Sequence, residues 1–327
     1  MERVLVTGAT GFVGRHLCRY LRESGYLVRA TCRKVSYRAG LPADVECVEL
    51  GAIGPDTDWS LALDGVDYVV HLAAAAHHIH DRVPDSVYDD VNHFGTARLA
   101  AATALVKSVR RLVFISSVAV VGGTPKATVN ELTACAPVTA YGRSKLAAEQ
   151  AIENILGKTQ PDWCILRPPL VYGPGNPGNM ERLLRAIRMH LPMPLKSIKN
   201  QRTLLYVGNL VDAIGLAMRH PAASKRTFFV TDEQTISTPE LIEALGEAAG
   251  CKPWLIPMPT RSLWLLGELF ELLKRFHCAP LGVDREAIEK LVSSFVVDGS
   301  LFRTTCLWRA PVVTRLGIRE TLNGPYQ

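Results

Sequence analysis

The chain has 327 residues, of which 48% are hydrophobic and 21% charged, with a formal charge of +6 at neutral pH. That balance belongs to a globular protein able to bury a large core, and it excludes a disordered or fibrous chain. The basic residues stand singly or in short pairs such as Arg33-Lys34 and Arg110-Arg111. They suit anionic small molecules and form no stripe that would call for nucleic acid.

In chain order, apolar runs alternate with helical periodicity, which predicts βαβ units and a parallel sheet. "RVLVTG" (3–8) reads as a first strand, followed by a helix on which Val13, Leu17, Tyr20 and Leu21 recur at helical spacing. Further strands are expected at 27–32, 45–50, 67–73, 111–117 and 163–168, with an alanine-rich helix near 95–107 and another opening at 140. "TFFVTD" (227–232) reads as a late strand returning to the same sheet. The runs are continuous rather than alternating, as in strands buried on both faces. Residues 168–202 are rich in Pro, Gly and Asn, and the chain beyond 235 reads as mostly helical. The fold class expected is α/β, a doubly wound parallel Rossmann sheet with a smaller, mostly helical C-terminal substrate lobe. Residues 1–167 are expected to form the sheet domain, with 204–232 returning to it, and 168–203 and 233–327 the lobe.

Eight cysteines stand singly between Cys18 and Cys306 without CxxC or Cys/His spacing, which predicts buried thiols in a reducing compartment. "AAAAHHIHD" (73–81) brings His77, His78 and His80 close together, but no carboxylate cluster completes a metal set. These are read as loop histidines, and no metal is expected. No run is long and apolar enough to cross a membrane. "SLWLLGELFELLKRF" (262–276) is interrupted by Glu268 and Glu271 and reads as an amphipathic helix of the lobe, with membrane-surface contact as the alternative. Because "MERVLVTGATG" runs straight into a strand and a glycine turn, no leader is expected. A cytoplasmic location without stable membrane insertion follows.

"VTGATGFVG" sets Gly8, Gly11 and Gly14 between the first strand and its helix. Glycines there let the backbone approach a pyrophosphate whose charge faces the helix N-terminus. The spacing is one residue longer in its first gap than the usual dinucleotide fingerprint, and a purely structural turn is the alternative. At the end of the second strand, an acid would take the ribose 2′-hydroxyl of NAD. Here Cys32 holds that place with Arg33 and Lys34 beside it, a pair able to meet a 2′-phosphate. NADP(H) is therefore the preferred cofactor and NAD(H) the alternative; solvated loop charges are the bland reading. In "AYGRSKLAAEQ" (140–150), Tyr141 and Lys145 lie four apart on one helix face. A nearby ammonium favours phenolate.

With the glycine turn, "HLAA" (71–74), "VNHFGT" (91–96), "SSVAVVG" (116–122) and "YGRSK" (141–145) in this order, the chain resembles the extended short-chain dehydrogenase/reductase family. More narrowly, it resembles the nucleotide-sugar epimerases, dehydratases and 4-ketoreductases. The resemblance implies that Tyr141 is the general acid/base and that Lys145 lowers its pKa while holding the nicotinamide ribose. It makes Ser117 the hydroxyl that orients the reacting oxygen, with Ser116 the lesser candidate. Gly8, Gly11, Phe12, Val13 and Gly14 would hold the dinucleotide, His71, Ala73 and Ala74 would line its nicotinamide side, and Asn92 would organise the site. Asn179 and Arg202, the latter in "NQRTLLYVGN", would meet a UDP-sugar at its nucleotide and diphosphate.

The Asp-Glu pair that 4,6-dehydratases carry after the catalytic Ser/Thr is missing from "SSVAVVG". Ala52 replaces the acid that contacts adenine, Val121 stands where many relatives have Tyr, and the second diphosphate arginine is lacking, with Arg303 nearby. The reading reached is an NADPH-dependent C4-ketoreductase of a UDP-4-keto-6-deoxy-N-acetylhexosamine, serving surface-polysaccharide synthesis. The alternatives are an NAD-dependent UDP-hexose or UDP-N-acetylhexosamine 4-epimerase, a reductase of an apolar ketone, and a non-catalytic NADP(H)-sensing protein. A homodimer paired through the helices beginning near 95 and 141 is implied by the same resemblance.

Overall fold

A computed structural model describes residues 1–34, 38, 40–76, 84–123, 128–157, 160–176, 179–264 and 285–323. The first half lays down β1 (Arg3–Thr7), α1 (Phe12–Glu23), β2 (Leu27–Cys32), β3 (Glu46–Glu49), α2 (Ser60–Leu63) and β4 (Tyr68–His71). After α3 (Asp85–Tyr88) the helix widens to a π turn over Asp89–Phe94 and runs on as α4 (Gly95–Ala104). There follow β5 (Arg111–Ile115), a 3-10 turn at Val118–Val121, α5 (Ala140–Leu156), β6 (Asp162–Arg167), β7 (Leu170–Tyr172), α6 (Asn179–Arg188) and β8 (Arg202–Tyr206). The chain continues through α7 (Val207–Arg219), β9 (Arg226–Phe229), β10 (Thr235–Ile236), α8 (Thr238–Ala248), α9 (Arg285–Val292), α10 (Ser300–Thr305) and α11 (Thr314–Asn323).

Seven strands form a parallel sheet in the order β3-β2-β1-β4-β5-β6-β9. Alternate residues of each strand enter different cores. Val4, Val6, Val113, Ile115, Cys164 and Leu166 pack under α1 and α7, whereas Leu5, Leu112, Phe114, Trp163 and Ile165 pack under α4 and α5. Both faces are covered, which is why the strands read as unbroken apolar runs. From β1 the chain winds outward to β2 and β3, and from β4 it winds the other way. The crevice beyond the carboxyl ends of β1 and β4 is therefore the switch point at which such sheets take ligands.

The lobe has its own core, in which Tyr172, Met180, Ile187, Leu204, Leu241, Ile242, Leu245 and Ile318 meet. A second sheet of order β10-β8-β7 spans it. Here the structure departs from the expected boundary at residue 204. β8 pairs with β7, Leu204 opposite Leu170 and Tyr206 opposite Tyr172, so the chain rejoins the main sheet only with α7 and β9. An apolar run is the same signal in either sheet; only its partner strand distinguishes them. Ser237 and Glu240 close a capping box at the start of α8, which fixes where the helix of the lobe begins.

Candidate active site

The glycine turn is built for a phosphate at the head of α1. Gly8 has φ +66°, and a Cβ there would lie 2.7 Å from the Ala73 nitrogen. A Cβ on Gly14 would lie 2.2 Å from the Gly8 oxygen, so this glycine lets the helix sit on its own turn. Gly11 is exposed and meets only the Gly8 oxygen, at 3.2 Å from such a Cβ. It caps α1 without any side-chain hydrogen bond, and no acid stands in the first turn. The leading N–H groups of α1 thus face the crevice uncapped by any carboxylate, which fits a dinucleotide pyrophosphate. Phe12 and Val13 contribute their backbone to this end, while their side chains pack against the lobe core. His16 bonds the Pro174 carbonyl at 2.9 Å, so the same turn of α1 also touches the loop after β7.

Beyond β2, Cys32 is buried and its thiol turns to the Val48 carbonyl. Arg33 and Lys34 are exposed at the strand's exit, where the nucleotide ribose would come. The register sets Glu49, at the end of β3, directly beside Cys32, and its charge helps push the thiol pKa up after burial does. The third strand thus sets a carboxylate beside the exit of β2, a residue that inspection of the second strand alone misses. The readable signal was a carboxylate ending an apolar run, three residues ahead of Ala52.

His71 does not line the nicotinamide side. It is fully buried, bonds Thr7 at 2.6 Å through Nδ1 and Thr96 at 2.9 Å through Nε2, and stacks on Phe114. Burial, and then the Lys145 charge, press its pKa down to about 3, so it remains a neutral strut. Thr7 also accepts from the Ala73 N–H at 3.2 Å, so His71 acts by fixing the loop after β4. Ala73 and Ala74 keep part of their surface open at the crevice. Asn92 clamps the same loop: its oxygen accepts from Ala75 at 2.7 Å, and its amide donates to the Ala75 carbonyl at 3.1 Å and to Ser144 at 2.9 Å. Ser144 in turn donates to the Tyr141 carbonyl at 2.9 Å. Asn92 sits in the π turn, an irregularity common at functional sites, and couples the β4 loop to α5.

The first turn of α5 carries the reacting group. Thr139 caps the helix by accepting from Gly142 at 3.0 Å. Gly142 itself presses on the 3-10 turn: a Cβ there would lie 2.5 Å from the Ala119 oxygen. That contact brings Tyr141 to Ser117, which caps the 3-10 turn from the exit of β5 and accepts from Ala119 at 3.1 Å. Burial pushes the Tyr141 phenol up, and its hydrogen bond with Ser117 draws it back. Tyr88 packs edge-on against the ring at 6.4 Å.

One turn on, Lys145 is buried, donates to the Ile115 carbonyl at 2.8 Å and lies 4.5 Å over the Phe114 ring. In this arrangement the downward pull on the Tyr141 pKa comes from Ser117. Burial lowers Lys145 to about 7, against the opposing charge of Glu149 one further turn along α5. Glu149 is gripped by Arg167, at 3.0 and 2.5 Å, in a buried fork. Ser116, beside Ser117, is buried with its hydroxyl unpartnered.

On the lobe side, Arg202 opens β8 half-buried, with no carboxylate partner among the described residues, and burial lowers its pKa. Thr203, next along the strand, faces a cavity of about 230 Å³ that it shares with Thr231, Asp298 and Arg303. Asn179 is the first residue of α6. His77, His78 and His80 lie outside the described residues; among those described, no group of three metal-ligating side chains occurs. No helix among the described residues is long and apolar enough to cross a membrane.

The fold and the Ser117–Tyr141–Lys145 arrangement define a Rossmann protein of the short-chain dehydrogenase/reductase type. Residues 4–230 match the model of the NAD dependent epimerase/dehydratase family, and the chain belongs to that family. It is 34% identical to a UDP-glucose 4-epimerase of Vibrio cholerae, over 98% of this chain and 94% of that protein. An N-acetyl-alpha-D-glucosaminyl-diphospho-ditrans,octacis-undecaprenol 4-epimerase of Escherichia coli O157:H7 is 27% identical over the same shares. In fold it matches a Bacillus cereus UDP-glucuronic acid 4-epimerase solved with NAD, with a TM-score of 0.76, 20% identity and coverage of 98% of this chain and 96% of the other.

Proposed function

We propose that the protein is an NAD-dependent C4 epimerase of a UDP-linked hexose or N-acetylhexosamine. The observation that carries this reading is the Tyr141 hydroxyl bonded to Ser117 at the switch-point crevice, in a chain that matches 4-epimerases along nearly its whole length. When bound, the nicotinamide supplies reversible hydride acceptance at C4. Tyr141 takes the C4 hydroxyl proton as that carbon is oxidised and gives it back on reduction of the opposite face. Ser117 orients the oxygen and steadies its developing charge. Lys145 leaves the Ile115 carbonyl for the nicotinamide ribose, and Arg202 takes the diphosphate. Glu49 beside the exit of β2 supports NAD, because its carboxylate would accept from a ribose hydroxyl and repel a 2′-phosphate.

A second reading rests on Arg33 and Lys34, exposed at that same exit. They support an NADPH-dependent C4-ketoreductase that forms UDP-N-acetylquinovosamine or UDP-N-acetylfucosamine. A non-catalytic NADP(H) sensor has no use for the bonded Ser117–Tyr141 pair. The deciding experiment incubates the purified protein with UDP-glucose and, separately, UDP-N-acetylglucosamine without added cofactor, and follows the sugar by proton NMR. Appearance of the galacto isomer, with NAD released on denaturation, is expected. No isomer, together with NADPH loss on addition of the 4-keto-6-deoxy sugar nucleotide, would replace epimerase by reductase.

A further inference from the structure

The lobe carries a surface that the site chemistry does not use. The whole chain has 37 Lys and Arg against 31 Asp and Glu. Residues 179–199 and 251–264 alone hold seven against one, so the rest of the molecule is balanced and the entire positive excess sits in these two segments. They are neighbours: Met193 donates to the Trp254 carbonyl at 2.9 Å and accepts from Ile256 at 2.9 Å, and Lys196 donates to the Ile256 carbonyl at 3.2 Å. On α6, Met180, Leu184 and Ile187 point into the lobe. Arg182 and Arg185 lie opposite them on the helical wheel, in line with Met189 just beyond the helix, and all three are exposed.

Two large apolar groups stand in this basic field. Met189 is 60% exposed and Trp254 is 57% exposed, while Trp59, Trp163 and Trp308 are buried. A single-stranded nucleic acid would use the charges and stack a base on the indole, but has no use for the protruding thioether. A bilayer boundary uses both, since tryptophan favours the headgroup level and Lys/Arg the lipid phosphates. Of the apolar run that follows, 262–276, residues 265–276 lie outside the described residues.

We propose that this face of the lobe docks reversibly on an anionic membrane surface. Trp254 and Met189 enter the headgroup boundary, and Arg182, Arg185, Arg188 and Lys196 meet lipid phosphates. The test is flotation of the whole protein with vesicles of phosphatidylethanolamine and roughly one-quarter phosphatidylglycerol, beside pure phosphatidylcholine vesicles. Binding to the anionic vesicles alone is expected, with a blue shift of tryptophan emission and release between about 0.05 and about 0.5 M salt. The triple variant Arg182→Gln/Arg185→Gln/Arg188→Gln should weaken partitioning about a hundredfold. Trp254→Ala should weaken it about tenfold and remove the blue shift. Both should keep the wild-type melting temperature, which certifies their folds. No binding, equal binding to both vesicle types, variants that bind as the parent does, or capture of a single-stranded oligonucleotide in place of vesicles would each overturn the proposal.

Discussion

Burial alone would leave Tyr141 a poor acid/base, since it disfavours the phenolate; the bond from Ser117 offsets part of that. Removing the hydroxyl should therefore remove the chemistry and little else. Tyr141→Phe is expected to lower turnover about a thousandfold while bound NAD survives gel filtration; near-normal turnover would displace Tyr141 from its role. Lys145 makes a prediction about stability. Its folded pKa of about 7 lies below the ordinary 10.5, so the unfolded chain holds a proton that the native one releases between those values. Stability contributed by this site rises with pH across that window and is lowest on the acid side, where a charge must stay buried. Lys145→Met should then raise the ligand-free melting temperature more at pH 6 than at pH 10, and calorimetry at the two pH values reads the difference directly. Glu149 favours the charged lysine, and Arg167 keeps that carboxylate from being an unpaired buried charge.

At the level of elements, two contacts place α5. Asn92 ties its first turn to the β4 loop, and Gly142 lets that turn press on the 3-10 helix at Val118–Val121. A methyl group at Gly142 would stand 2.5 Å from backbone oxygen, so α5 must move outward. Gly142→Ala should cost about 1–3 kcal/mol of stability and lower turnover more than it lowers NAD content, because the glycine turn at Gly8–Gly14 is untouched. Equal losses of both would show that α5 is not positioned in this way. Gly142 was invisible in the sequence, since its role depends on a turn met only in three dimensions. The strands were legible because burial on both faces leaves an unbroken apolar run, and the glycine turn because steric freedom has one residue type. His71 was misplaced for the opposite reason: a polar residue ending a strand looks available, and nothing local says that Thr7 and Thr96 take both ring nitrogens. Likewise β8 shares the composition of the main strands, and only its register with β7 assigns it to the lobe.

On the scale of the molecule, the large sheet and the lobe are held together through Asp232, just past β9. Its carboxylate accepts from the Tyr206 N–H at 3.1 Å, from Asn209 of α7 at 2.7 Å and from the Tyr172 hydroxyl of β7 at 3.0 Å. Donors from two strands of the lobe sheet and from the returning helix thus converge on one buried acid just past the end of β9, whose pKa burial raises. Light scattering tests the expected dimer pairing through α4 and α5: twice 35.8 kDa would support that assembly, and a monomer mass would exclude it. Asp232→Asn keeps the size but removes the charge: with its oxygen on Asn209 and the Tyr206 N–H, its amide faces Tyr172, whose hydroxyl must then accept and donate to the Thr314 carbonyl alone. The cost should be about 1–3 kcal/mol, seen as a lower melting temperature. Since the seam also sets the lobe against the crevice, KM for the sugar nucleotide should rise while NAD content holds. Glu320 gives the contrast: it accepts from the Tyr206 hydroxyl at 2.6 Å through one oxygen, which Glu320→Gln retains. That variant should stay within about 0.5 kcal/mol of the parent. Equal effects of the two substitutions would mean that the seam is an ordinary polar contact rather than the joint between the two halves.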